Sequence, residues 1–187
     1  MKKSFGFTLI ELLVVISIAS ILMMLAAPSF KQLIQSNSIS SNVNNFLADM
    51  RFARSESIRL GGGVIMCRSD APEAASPACG SGAGPGTNGW VSGWIIFHDV
   101  DGDKGRTSLS TDPVLRVQAA ITTIDSIVES GSSTKFLFTA TGRLTLGGIT
   151  SMQFGSNSNF TNATQRLVCI SVGGRARIAG DGTASCT

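Results

Sequence analysis

Hydrophobic and polar positions divide this chain into an apolar front and an alternating rear. From Phe7 to Ala27 the only charge is Glu11, and about 20 apolar residues rising 1.5 Å each cover the roughly 30 Å hydrocarbon core of a bilayer. One membrane-spanning helix over 7–27 is predicted. Lys2 and Lys3 precede it, so the positive-inside rule holds that end in the cytoplasm and sends the residues after Pro28 across the membrane. Pro28 has no amide to donate, yet apolar positions resume at Phe30, Leu33, Ile34, Val43, Phe46, Leu47, Met50, Ala53 and Ile58, with Ser36, Asn37, Ser38, Ser40, Ser41, Asn42, Asn44 and Asn45 largely elsewhere. The spacing predicts a helix that kinks at Pro28 and continues to Leu60, with one stripe packed on a globular head. Gly61, Gly62 and Gly63 stop it, which leaves a rod of roughly 80 Å over 7–60.

Behind the helix the period shortens to two. Strands are predicted at Trp90 to Phe97, Val114 to Gln118, Ile124 to Val128, Lys135 to Ala140, Arg143 to Leu146, Ile149 to Phe154, Leu167 to Val172 and Arg175 to Ile178, with the short run Val64 to Cys67 before them. Asp70 to Gly89 is rich in Ala, Pro, Gly and Ser, shows no periodicity, and reads as a long mobile loop. About 125 residues beyond Leu60 suffice for one modest core. The fold class is therefore α+β: a long N-terminal helix packed on an antiparallel β head over 61–187.

Charge and cysteines narrow the setting. The formal net charge of the 187 residues is +3, too small to make the protein globally basic, so any polyanion site must rest on local clustering. Cys67, Cys79, Cys169 and Cys186 all follow the membrane helix, and an even number in an oxidising compartment points to disulfides. Three pairings are open; the reading favours Cys67 with Cys79 and Cys169 with Cys186. A zinc site would need a CxxC knuckle or several histidines, and His98 stands alone.

Catalytic chemistry finds no foothold. His98 is followed directly by Asp99, and neighbours on a strand point to opposite faces, so no catalytic residue and no cofactor or metal is assigned. Asp99-Val100-Asp101-Gly102-Asp103 has carboxylates at alternate positions, but the bidentate Glu of a calcium loop is missing and Lys104 intrudes. It reads as a turn. The triplets starting at Asn159 and Asn162 match glycosylation acceptors and are taken as loop chemistry.

The residues that favour a ligand are Val172-Gly173-Gly174-Arg175-Ala176-Arg177-Ile178. Gly173-Gly174 predicts a two-residue hairpin turn, and the following period of two places Arg175 and Arg177 on one face, roughly 7 Å apart. Guanidinium forks match phosphate. Lys104 with Arg106, and Arg143 and Arg166, are further basic candidates; from Phe136 onward the arginines outnumber the acids four to one, Asp181 being the acid.

The order Met1-Lys2-Lys3-Ser4-Phe5-Gly6, then Phe7-Thr8-Leu9-Ile10-Glu11, resembles the type IV prepilin signal, in which the apolar helix follows the cleavage site and is kept. The resemblance implies a leader 1–6 cut after Gly6 by a prepilin peptidase, N-methylation of Phe7, and an encounter of that freed amine with Glu11 of an adjoining subunit. The leader junction, the helix ending Phe52-Ala53-Arg54-Ser55-Glu56-Ser57-Ile58-Arg59, a strand carrying a cysteine, and Gly89-Trp90 through Gly93-Trp94-Ile95-Ile96-Phe97 together resemble the FimT/GspH family of minor pilins and pseudopilins. That family implies a single-pass inner-membrane protein with a periplasmic head, later assembled with other pilins into a filament. The Gly-Arg-x-Arg element at Gly174 to Arg177 is similar to that of FimT proteins linked to DNA uptake, which makes DNA the expected partner; a structural pseudopilin of type II secretion, or a pilus-priming subunit without DNA binding, is the alternative.

Overall fold

The computed structural model describes residues 7–106, 110–155 and 160–186. The leader, Gly6 included, and Asn159 lie outside these. α1 (Leu9–Leu60) is one helix of 52 residues, about 78 Å long at 1.5 Å per residue. Thr8 caps its start, and the Gly61 N–H closes its end on Ser57 O.

The strands are β1 (Val64–Arg68), β2 (Trp94–His98), β3 (Val114–Gln118), β4 (Ile127–Glu129), β5 (Lys135–Phe138), β6 (Thr150–Phe154), β7 (Arg166–Ile170) and β8 (Ala176–Gly180). They form two antiparallel sheets, ordered β3-β2-β1-β5 and β4-β6-β7-β8. The second half of α1 covers both. Its buried stripe is Ile39, Val43, Phe46, Leu47, Met50 and Ala53, a helical spacing that keeps one face inward. Phe46 joins the sheets: its ring meets Trp90, Trp94 and Phe136 on one side and Phe154 of β6 on the other, all edge-on at 5.7 to 6.5 Å between centroids. Edge-on contact sets the positive rim of one ring against the negative face of another.

β1 is buried at every position, which requires cover on both faces. Val64 and Met66 face the helix cluster, while Ile65 and Cys67 belong to a second cluster with Ile95 and Phe97. The cover over that outer face includes Cys79, held to Cys67 by a disulfide. Arg68, 1% exposed, ties the same loop down: Nη1 donates to Asp70 and to Ser92 Oγ, Nη2 donates to Ser81 O at 2.6 Å, and the Gly80 amide donates to Arg68 O at 2.7 Å. The segment read from sequence as a mobile loop is therefore the lid of a core. Its lack of periodicity reflects tethering by single side chains and one disulfide in place of a ladder.

Several expectations shift on contact with the fold. Phe30, Leu33, Ile34 and Ile58 are 53 to 65% exposed, so the packed stripe begins at Ile39, where the head first reaches the helix. Asn42 is 7% exposed, because its amide donates to Ser38 O at 2.8 Å and to Thr123 Oγ1 at 2.9 Å. The strand expected from Trp90 starts at Trp94; Trp90–Ser92 is a turn of 3-10 helix. Arg143 to Leu146 is no strand and contributes a single bridge, Phe138 with Leu144, since the chain there is bent by the turn at Gly142. β4 starts three residues later than the run of apolar residues, at Ile127.

Candidate functional site

At the front of the helix, Thr8 and Glu11 form a capping box. The Glu11 amide donates to Thr8 Oγ1 at 3.3 Å, and Glu11 Oε2 accepts from both the Thr8 amide and hydroxyl at 2.8 Å. The spacing Thr-x-x-Glu is the sequence signature of this motif, and it gives Glu11 a role within the chain besides the intersubunit one that the prepilin resemblance implies. Within one chain the carboxylate thus has donors of its own. Phe7 is 83% exposed and the large apolar residues from Leu9 to Met24 are 49 to 80% exposed, so nothing among the described residues of the subunit covers this segment. It is the apolar helix of sufficient length for a membrane.

The basic candidates fall in separate places. The β7–β8 connection carries Arg175 and Arg177. The Ser171 amide donates to Arg175 O at 2.9 Å and the Gly174 amide to Ser171 O at 2.9 Å, with Gly174 at φ +73°. That is a three-residue loop, a type I turn closed by a left-handed residue, and not the two-residue turn expected. The change leaves the face assignment intact: Arg177 pairs with Cys169 and Ala176 with Ile170. Ala176 packs on the core while Arg175 and Arg177 are exposed.

A second turn of the same construction lies against it. The Thr139 amide donates to Arg143 O and the Gly142 amide to Thr139 O, both at 2.8 Å, with Gly142 at φ +71°. The two turns are joined by the Leu144 amide donating to Val172 O at 2.8 Å, and a Cβ on Gly174 would collide with Gly142 O. Each left-handed glycine is followed by an arginine, Arg143 and Arg175. The fold therefore brings Arg143 to the same end of the head as Arg175.

The other candidates are not brought there. Arg166 opens β7 at the end remote from the turn, with Nη1 donating to Ala163 O at 2.8 Å and to Gln165 O at 2.7 Å. It also acts on Asp181, whose carboxyl lies below its usual range first through the Thr183 hydroxyl and amide and then through the Arg166 charge. Arg106 donates to Pro77 O and Ser76 Oγ on the disulfide loop, and Lys104 O accepts from Lys135 Nζ at 2.8 Å. Both belong to the neighbourhood of the other sheet. Asp99, Asp101 and Asp103 bring carboxylate oxygens within 4.8 Å of one another. Asp101 accepts from the Asp103 amide at 3.2 Å and Asp103 from the Gly105 amide at 2.7 Å, the hydrogen bonds of Asx turns, and Asp99 accepts from the Gly102 and Lys104 amides at 3.0 and 3.1 Å. The disulfides are Cys67–Cys79 and Cys169–Cys186.

A long apolar helix capped at Thr8, running into a two-sheet head, defines the type IV pilin class. The chain belongs to the GspH family: the family model described as type II transport protein GspH matches residues 42–174, and a prokaryotic N-terminal methylation motif matches residues 1–27. Membership carries assembly with other pilins and processing by a prepilin peptidase. Among solved structures, the type IV minor pilin FimU of Pseudomonas aeruginosa is similar in one crystal form at TM-score 0.55 and 17% identity, over 81% of this chain and 95% of that one. A second crystal form gives TM-score 0.49 at 17% identity, over 79% and 98%. No curated protein matches.

Proposed function

We propose that this chain is a minor pilin of a type IV pilus, cut after Gly6, N-methylated at Phe7, held in the bacterial inner membrane by residues 7–27 with its head in the periplasm, and then drawn into the filament, where the head binds DNA during uptake. It catalyses nothing. The grip is through Arg175 and Arg177. The observation that carries this reading is Arg175: it follows a rigid turn, is exposed, and has no hydrogen bond or ion pair for its guanidinium among the described residues. Two residues on, Arg177 shares its face at about 7 Å. Paired planar forks at that spacing suit successive phosphates of a backbone. Such contacts carry no base information, so binding is sequence-blind and weakens with salt.

Gel-shift titration of the detergent-solubilised protein, unaltered and as R175Q/R177Q, tests it. Loss of affinity in the variant supports the reading, and binding that is absent from the unaltered protein, or equal in both, removes it. A second reading, a structural pseudopilin of type II secretion or a priming subunit without DNA binding, is favoured by the description of the matching family as a type II transport protein, and is what remains if DNA does not bind.

A further inference from the structure

We propose that α1 supplies half of the DNA surface: Arg51 and Arg54 form, with Arg175, a second phosphate seat that continues the track begun at Arg177. This rests on the DNA-binding reading above and adds residues from the helix.

Two concavities flank Arg175. One, of about 420 Å³, is lined by Ile149, Cys169, Ser171, Arg175, Ala176 and Arg177. The other, of about 300 Å³, is lined by Arg51, Arg54, Gly174, Arg175 and Ala176. They share Arg175 and Ala176, so the guanidinium-bearing surface is continuous from β8 onto the helix. Arg51 and Arg54 are three residues apart, which puts them on one helix face about 5 to 6 Å apart at Cβ. Three arginines and no carboxylate line the second concavity among the described residues.

That excess is not neutralised from the flanks. The nearest acids along the helix are Asp49 and Glu56. Asp49 accepts from Trp94 Nε1 at 2.8 Å and from Arg116 at 2.6 Å, and Glu56 is paired with Arg59. Both acids are thus taken, while the guanidiniums of Arg51 and Arg54 have no hydrogen bond or ion pair among the described residues. Unpaired like charges gathered in a groove repel one another, and an anion seated there relieves the repulsion. The groove is also shaped for a backbone phosphate. Gly174 presents no side chain, and the stem of Arg54 lies against Gly142, whose hypothetical Cβ would sit 2.9 Å from Arg54 Cγ and Nε. Arg54 is therefore held by packing before any ligand arrives, which lowers the ordering cost of binding. Arg143, leaving the neighbouring turn, adds to the same field.

The test is binding of full-length protein in a neutral detergent to a duplex of arbitrary sequence over a series of salt concentrations, for the unaltered protein, R51Q/R54Q, R51K/R54K and R175Q/R177Q. Each phosphate contact adds about 0.9 to the log-log salt slope on duplex DNA. R51Q/R54Q is expected to lower that slope by about 1 to 2 and the affinity at 0.1 M salt on the order of tenfold, equally for unrelated sequences, with R51K/R54K restoring most of both. An R51Q/R54Q protein that binds as the unaltered one does, while R175Q/R177Q binds more weakly, overturns the helix seat and leaves the original reading standing. No binding by the unaltered protein ends both. A lysine variant as weak as the glutamine variant also overturns the seat, because packing and not charge would then be what the helix arginines supply.

Discussion

Asp49 of the helix accepts a hydrogen bond from the indole Nε1 of Trp94 at 2.8 Å, joining residues 45 positions apart at the centre of the head. Trp94 is fully buried and Asp49 is 6% exposed. The second carboxylate oxygen accepts from Arg116 on β3, whose guanidinium also lies 4.3 Å over the Phe52 ring. Asp49→Ala leaves the Trp94 N–H unsatisfied in the core and strips Arg116 of its partner. Loss of about 2 to 4 kcal/mol is expected in denaturant unfolding. Asp49→Asn, which can still accept from Trp94, is expected to lose less; equal losses would mean that only the charge matters.

The adjoining turns make a ranked prediction at two glycines. Any side chain at Gly142 or Gly174 meets a left-handed backbone, a cost of roughly 1 to 2 kcal/mol. A methyl at Gly174 also strikes the Gly142 carbonyl, which is backbone and cannot yield, whereas at Gly142 it meets the Arg54 and Ile58 side chains, which can. Gly174→Ala is expected to lower the midpoint of thermal unfolding more than Gly142→Ala. The reverse order would deny the packing of one turn on the other.

The helix and most of the strands were legible because each rests on local periodicity, and the N-terminal methylation motif because it is an ordered string of residues. The apolar stripe from Val43 to Ala53 is visible at spacings of three and four, and those residues are buried. Its start was not visible, because Ile39 sits among serines and its burial depends on where the head reaches the helix. The arginine surface was half legible. Arg175 and Arg177 stand out beside two glycines, and Gly142-Arg143 repeats the same glycine-arginine step. Arg51 and Arg54 could not be read as partners of Arg175, since more than 120 positions separate them and only the tertiary fold puts α1 beside β8. Lys104, Arg106 and Arg166 are weaker candidates in sequence and lie elsewhere in the fold: the Arg106 and Arg166 guanidiniums donate to backbone oxygens, and the Lys104 carbonyl accepts from Lys135.

Cys169–Cys186 spans 17 positions and holds the C-terminal tail to β7. Closing a loop of that size is worth about 3 kcal/mol, mainly against the unfolded chain. The C169A/C186A protein is expected to unfold at lower denaturant by about that margin. An unchanged midpoint would show that β7–β8 pairing alone holds the tail.

Asp181 gives the tail a pH dependence. Its carboxylate accepts from the Thr183 amide at 2.9 Å and hydroxyl at 2.7 Å, and these bonds, with the Arg166 charge, place its folded pKa below the ordinary carboxylate value. A depressed pKa contributes stability above the unfolded value, and that contribution is lost as pH falls through the folded one. Amide protection across 181–186, taken relative to the intrinsic exchange rate at each pH, is therefore expected to stay flat from neutral pH into the ordinary Asp range and to fall only below it. In Asp181→Asn the acid-dependent step should vanish. A step near neutral pH would implicate another group.

The proposed role requires an apolar helix that is kept after processing and carried from membrane to filament. Mass spectrometry of the subunit recovered from sheared surface filaments tests this most directly. The predicted result is a polypeptide that begins at Phe7 and carries one methyl group on its amine, present in the filament fraction. A subunit that begins at any other residue, or that is found in the membrane and never in the filaments, contradicts it.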